Sequence, residues 1–196
     1  KVVGLMATWD ERGLRVALLD NARRPIVELP PGRLTACKVT DELGGESSLT
    51  LSWVLGTSVP DVRAESRVLL RDGRGRWREF VAKGGARVST SGQVREATLR
   101  AEASWQSDVR LSEPMPEGSS WEGAPASEAY HAIMAPTGWE GSCSVGARVG
   151  WLDVSGKGRL AALRALAESV GGELEPTLSL GQDLSVTAQS VSLVAR

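Results

Sequence analysis

The amino-acid sequence predicts an α+β fold that is mainly β: a small antiparallel β-barrel or sandwich, followed by an α/β unit with two helices. Three observations carry this expectation. Residues 97–105 alternate strictly, with Ala97, Leu99, Ala101, Ala103 and Trp105 set against Thr98, Arg100, Glu102 and Ser104, the mark of a half-buried strand. Between Leu14 and Trp105 several short apolar runs are separated by turn-forming clusters, the pattern of a small barrel or sandwich. Further on, Leu160, Leu163, Leu166, Ala167 and Val170 recur at spacings of three and four, which draws one apolar stripe along a helix. One helical island thus sits in a β-rich chain.

Taken in order, residues 14–20 and 25–29 flank the turn-forming cluster Asp20-Asn21-Ala22-Arg23 and read as a hairpin. Pro30-Pro31-Gly32 breaks the chain, and a strand follows over 34–43. After Gly44-Gly45 comes a strand over 48–55, in which Leu49, Leu51, Trp53 and Leu55 alternate with Ser48, Thr50 and Ser52. Residues 68–71 and 77–82 are joined across Asp72-Gly73-Arg74-Gly75. Asp-Gly between apolar runs signals a hairpin, because glycine takes positive φ without steric cost. Gly84-Gly85 and Ser91-Gly92 punctuate two more strands, the second being the alternating run described above.

Pro114, Pro116, Gly118, Ser119 and Ser120 make a linker-like stretch. A helix is expected over 125–135, with proline in its first turn and Pro136 just past its end. Strands are expected at 143–149 and 151–154. The principal helix starts at Gly158, keeps Arg159, Arg164 and Glu168 on its solvent side, and ends at Gly171-Gly172, where positive φ is free. Strands at 174–180 and 184–194 close the chain. The resulting domain expectation is a β-barrel-like domain over 1–113, a linker over 114–123, the α/β unit over 124–183, and a strand over 184–196 returning to a β domain. The final strand suggests that the polypeptide continues, either into a second β domain or back onto the first.

Composition narrows the function. A hydrophobic fraction of 41% with 24% charged residues is ordinary for a globular chain. Net charge is −1, so there is no electrostatic footprint for nucleic acid or acidic lipid. Arg71, Arg74, Arg76 and Arg78 cluster, but Asp72 and Glu79 sit among them, as on a solvated hairpin face. No apolar run approaches the roughly 20 residues needed to cross a bilayer, and no signal peptide is visible in a chain that begins at Lys1. Cys37 and Cys143 lack CxxC spacing. Two buried free thiols are expected, with a disulfide between them as the alternative.

No cluster reads as a catalytic, cofactor or metal site. Gly150 to Gly158 superficially resembles a phosphate-binding loop, but five residues separate Gly150 from Gly156-Lys157 and Gly158 stands where the hydroxyl belongs. A glycine-rich turn with Ser155 as the helix N-cap is the plainer reading. His131 is the sole histidine, so zinc sites and most triads have nothing to build on; it falls off the apolar stripe of its helix. Glu173 and Glu175 share a strand face, with Pro176 beside them, and read as structural rather than as a glycosidase pair. Seven tryptophans against one phenylalanine and one tyrosine are unusual. Trp53, Trp77 and Trp105 fall in expected strands, whereas Trp121, Trp139 and Trp151 bracket the helical unit, where an exposed tryptophan would stack on a sugar or anchor an interface.

Three stretches, in this order, resemble the N-terminal hub region of tailed-phage tail proteins, the "prophage endopeptidase tail" or phage minor structural protein family. Val68 to Gly73 with Arg78-Glu79-Phe80-Val81 is similar to an early hairpin of that family. The run from Ser127 to Gly141, ending in Pro136-Thr137-Gly138-Trp139, resembles its helix and following turn, in which the family order is Gly-Thr-x-Trp-like. Arg159 to Glu168 with Gly171-Gly172-Glu173-Leu174 resembles its next helix and strand. Gln189 stands where the family commonly has arginine. The resemblance implies a structural, non-enzymatic component of a tail tip, a hub or baseplate protein made in the bacterial host cytoplasm and carried in the virion. It also implies a homotrimer that contacts the distal tail ring and tape measure, with contact to the host cell wall as a further expectation and no cofactor required. The alternatives are a carbohydrate-binding β module, which needs two tryptophans side by side on an exposed face, and the N-terminal segment of a peptidoglycan hydrolase.

Overall fold

The computed structural model describes residues 3–5, 13–42, 45–56 and 60–196. Leu43 and Gly44, expected to end a strand and open a turn, lie outside the described residues. The chain divides into two compact units: residues up to Ser104 with Leu180–Thr187, and Trp105–Ser179 with Ala188–Arg196. This division falls at Ser104/Trp105, not within the linker-like stretch 114–123.

The first unit is built on strands β1 (Val3–Leu5), β2 (Arg15–Leu19), β3 (Pro25–Leu29), β4 (Leu34–Asp41), β5 (Ser47–Val54), β6 (Arg67–Arg71), β7 (Trp77–Ala82), β8 (Arg87–Ser91) and β9 (Val94–Ala103), with a 3-10 turn at Pro31–Arg33. They form one antiparallel sheet in the order β1-β4-β5-β9-β7-β6-β2-β3, with β8 also lying against β9. The alternation seen in the sequence is the burial pattern: Leu49, Leu51 and Trp53 of β5 stand opposite Ala101, Leu99 and Ala97 of β9, and all six are at most 2% exposed. In β2 and β6 burial is continuous, with Val16, Leu18, Val68 and Leu69 fully enclosed, as expected of strands covered on both faces. Phe80 is fully buried as well.

The β2–β3 turn is tied by Asp20, whose carboxylate accepts from the amides of Ala22 and Arg24. The β6–β7 turn follows the same logic, with Asp72 accepting from the amides of Arg74 and Arg76. There the left-handed residue is Gly75, at φ 80°, rather than Gly73. The Asp72 side chain organises the turn in place of a two-residue Asp-Gly corner.

The strand expectation runs too long at one point. β9 stops at Ala103, and Ser104–Leu111 is a helix, α1, so Trp105 is helical rather than stranded. Trp105 and Val109, four apart, are both buried. A helix this short offers two such positions, too few to override a period-two run that leads straight into it.

The second unit continues with β10 (Ser120–Glu122), α2 (Ala126–Met134), β11 (Trp151–Asp153), α3 (Arg159–Ser169), β12 (Gly172–Leu180) and β13 (Val186–Ala195). β10 lies inside the stretch expected to be linker and pairs with β11; Met115, beside it, is 4% exposed. The expected strand over 143–149 reduces to single bridges, Cys143 to Leu193 and Arg148 to Pro125. Helix α3 buries Leu160, Leu163, Leu166 and Ala167 as the stripe required, and Gly171 ends it at φ 64°. β12 and β13 form a long two-stranded hairpin.

Candidate functional site

The second unit is organised around the C-terminal end of α2. A helix leaves its last carbonyls without intrahelical donors, and here the sequence aggravates the shortage. Pro136, which has no N–H, stands where Ala132 would find its donor, and the Thr137 amide turns to Met134 instead. The missing donors come from α3. Arg159 sends Nη1 to the carbonyls of Ile133 at 2.7 Å and Ala132 at 3.0 Å, and Nε to the Glu113 carbonyl at 2.6 Å. A cation at the negative end of α2 is also favoured by the helix dipole. Arg159, expected on the solvent side, is 6% exposed. Burial lowers its pKa from the ordinary value, with the nearby charge of Glu113 opposing.

Beyond α2 the Pro136-Thr137-Gly138-Trp139 turn is tied at each residue that can bond. Thr137 Oγ1 donates to the Met134 carbonyl, Gly138 takes φ 72°, and Trp139 Nε1 donates to Asp108 at 3.0 Å. Gln189 of β13 donates Nε2 to the Gly138 carbonyl at 2.9 Å, so this side chain holds the turn where the resembling family carries arginine. The chain then runs parallel to β13, with Val191 and Leu193 donating to the carbonyls of Glu140 and Ser142. Tyr130 Oη donates to the Val191 carbonyl. A Cβ at Gly141 would overlap both that carbonyl oxygen and the tyrosine hydroxyl, so only glycine fits.

These elements enclose a shallow groove of about 650 Å³, lined by Tyr130, His131, Met134, Trp139, Glu140 and Ser192 among others. His131 is on the exposed side of α2, its ring edge-on to Tyr130 at 5.5 Å between centroids. Ser142 and Ser192 face each other across the groove at 3.3 Å. Among the described residues no hydrogen bond joins His131 to a hydroxyl or a carboxylate.

The other singled-out residues are dispersed. Gly150 to Gly158 holds β11 and the turn that follows it, in which Asp153 accepts from the amide and hydroxyl of Ser155 and Lys157 Nζ reaches back to the Asp153 carbonyl. Ser155 therefore caps a turn, and the N-cap of α3 is Gly158 without a side-chain bond. Glu173 and Glu175 lie on β12, half-exposed and exposed. Trp151 is 66% exposed while Trp139 is 6% exposed. Trp121, half-buried, points to the opposite side of the β10–β11 pair from Trp151, since its cross-strand partner is Leu152. The three bracketing tryptophans thus do not form a stacking platform. Among the described residues no three His, Cys, Asp or Glu side chains converge as metal ligands would. Cys37 and Cys143 are free and partly exposed, not fully buried as expected. Desolvation pushes the Cys37 thiol up to about 11.

In the first unit the arginine-rich hairpin is exposed at Arg74 and Arg76, as the solvated-face reading expects, and it is also ion-paired. Arg76 meets Asp72 and Arg78 meets Asp41. Glu79, whose side chain is fully buried, takes a bidentate bond from Arg23 at 2.8 and 2.9 Å and a third from Arg67 at 2.9 Å. Arg23 adopts φ 61° to reach it. Burial favours the neutral carboxyl, but the Arg23 hydrogen bonds and the charges of Arg67 and Arg23 outweigh it, and the Glu79 pKa lies below its ordinary value. Sequence alone placed Arg71, Arg74, Arg76 and Arg78 on a solvated face with Glu79 among them; the one readable signal was an acidic residue followed directly by the apolar pair Phe80-Val81 in a strand.

No protein-family profile matches this sequence, and a search of curated proteins finds no relative by sequence. The fold, however, is shared with solved structures of phage tail proteins. It is similar to the 43 kDa tail protein of prophage MuSo2 from Shewanella oneidensis, at a TM-score of 0.63 and 11% identity over 93% of this chain and 55% of that one. It is similar also to the prophage tail protein gp18 of Listeria monocytogenes EGD-e, at a TM-score of 0.59 and 14% identity over 92% of this chain and 50% of that one. A tail protein of Neisseria meningitidis MC58 gives a TM-score of 0.52 and 17% identity, with 92% and 50% covered. The chain therefore has a phage tail protein fold and spans about half the length of the tail proteins it matches.

Proposed function

We propose that this chain is a structural component of a phage or prophage tail, acting at the tail tip as a hub or baseplate protein between the tube and the distal receptor-binding or lytic parts. One observation carries the reading: over nine-tenths of the chain follows the fold of tail proteins from three bacteria. A hub works through interfaces, and this chain offers a groove and an exposed sheet edge for them. On this reading the chain forms a homotrimer, contacts the distal tail ring and tape measure, is placed to contact the host cell wall, and carries no chemistry of its own.

The test is immunogold electron microscopy of tail-bearing particles with antibody raised against the purified chain. Gold at the end of the tail remote from the head is expected. Gold along the shaft or on the head, or particles without label, overturns the assignment. Light scattering across a concentration series supplies the second readout, with a mass of three chains expected. Release of soluble fragments from purified peptidoglycan would overturn the non-enzymatic part.

A further inference from the structure

Two sheet edges of this chain carry opposite charge. Among the described residues β8 is paired on one side only, against β9, and all of its residues are exposed. Beside it runs an open groove of about 420 Å³ that includes Lys83, Arg87, Val88 and Arg100 in its lining. Lys83 is occupied by Glu102 at 3.2 Å. The guanidinium groups of Arg87 and Arg100 make no ion pair or hydrogen bond among the described residues, and Val88 is 45% exposed. An edge of unpaired amides and carbonyls flanked by two unsatisfied guanidinium groups fits an extended segment bearing carboxylates.

The chain itself contains such a segment. Among the described residues β12 is paired only with β13, so its other edge is open to a further strand. Glu173 and Glu175, two apart, share one face of β12, with no partner of their own among the described residues. Residues two apart on β8 and β9 likewise share a face, so Arg87 and Arg100, which both line the groove, stand ready on one side of the sheet.

We propose that β12 of one copy adds to the free edge of β8 in a second copy, seating Glu173 and Glu175 against Arg87 and Arg100. The two edges differ, so the contact is heterologous and runs head to tail from copy to copy until a ring closes. The inference rests on the self-assembly proposed above and names the surfaces that bring it about.

The test is a charge swap read by light scattering on the full chain across a concentration series, at low and at high salt. Arg87→Glu with Arg100→Glu, and separately Glu173→Arg with Glu175→Arg, should each weaken association at least about tenfold. The chain carrying all four reversals should recover it, and the wild-type association should weaken with salt. The neutral variants Arg87→Ala/Arg100→Ala and Glu173→Gln/Glu175→Gln give the same ordering in milder form, and thermal melts close to wild type certify folding. Association untouched by either reversal, or two defects that the fourfold variant fails to repair, overturns the contact while leaving a trimer intact. A wild-type chain that is monomeric at every concentration overturns both the contact and the self-assembly on which it rests.

Discussion

Replacing Arg159 by methionine isolates what a buried cation does for the second unit. The substitution keeps the length and the apolar stem, so packing against Met115 is largely retained, and it removes the donors that reach Glu113, Ala132 and Ile133. Hydrogen bonds from a charged donor contribute about 1.5–3 kcal/mol each, and a buried carbonyl left without a partner costs a similar amount. Against this, methionine avoids the penalty of desolvating a guanidinium, which is several kcal/mol. The Ala132 carbonyl has no fallback, because Pro136 offers no N–H, and the Thr137 amide already serves Met134. Balancing these contributions gives a net loss of about 3 kcal/mol. In a chain of this size that is a fall in melting temperature of roughly 6–12 °C. Urea denaturation supplies the free energy, and hydrogen exchange over α2 should show its last turn opening first. Arg159→Lys, whose single ammonium cannot span three carbonyls, should lose about half as much. A methionine variant within about 0.5 kcal/mol of wild type, with α2 exchange unchanged, would refute the pinning role.

Three further expectations follow from the same geometry. Glu79→Gln removes the charge that two arginines enclose and should cost about 3 kcal/mol at neutral pH. Because the folded-state pKa of Glu79 is depressed, its contribution is fully present above the ordinary carboxylate value of 4.5 and is lost as pH falls through the lower folded-state value; melting temperature below pH 4.5 should therefore fall more steeply for wild type than for the glutamine variant, and parallel curves would contradict the pairing. Gly141→Ala forces a methyl into the Val191 carbonyl and should destabilise by about 3 kcal/mol or more, measured by thermal melting, whereas a neutral effect would mean the parallel run along β13 is not so close. Cys37, its thiol at about 11, should be alkylated at pH 8 about a hundredfold more slowly in the native protein than in urea, a ratio that mass spectrometry of the labelled peptide reads directly and that near-equal rates would refute.

Much of the architecture was legible because it is local. The periods of two in β5 and β9 and of three to four in α3 follow from backbone geometry, and the burial of the apolar residues on each stripe follows from their place in the period. Turn chemistry was legible for the same reason: Asp20 and Asp72 bond to amides two and four residues on, within reach of any chain that bends there. The resemblance to tail proteins rested on short runs of this kind, and the shared fold agrees with it.

What the sequence by itself determined, then, was the kind of each element and its order: a β-rich first part, a helical island built on α2 and α3, and a closing β-hairpin. The tertiary structure alone decided what polar side chains do, because a partner far along the chain leaves no trace in local pattern. Arg159 lies off the stripe of α3 and reads as a solvent residue until α2 ends beside it with carbonyls that Pro136 has left bare. Glu79 reads as a surface charge until Arg23, 56 residues away, turns back to meet it. Gly141 reads as an ordinary loop glycine until the Val191 carbonyl occupies the space its side chain would need. Each is a case where the desolvated partner, not the residue's own neighbours in sequence, sets the energy, and only the folded chain brings that partner near.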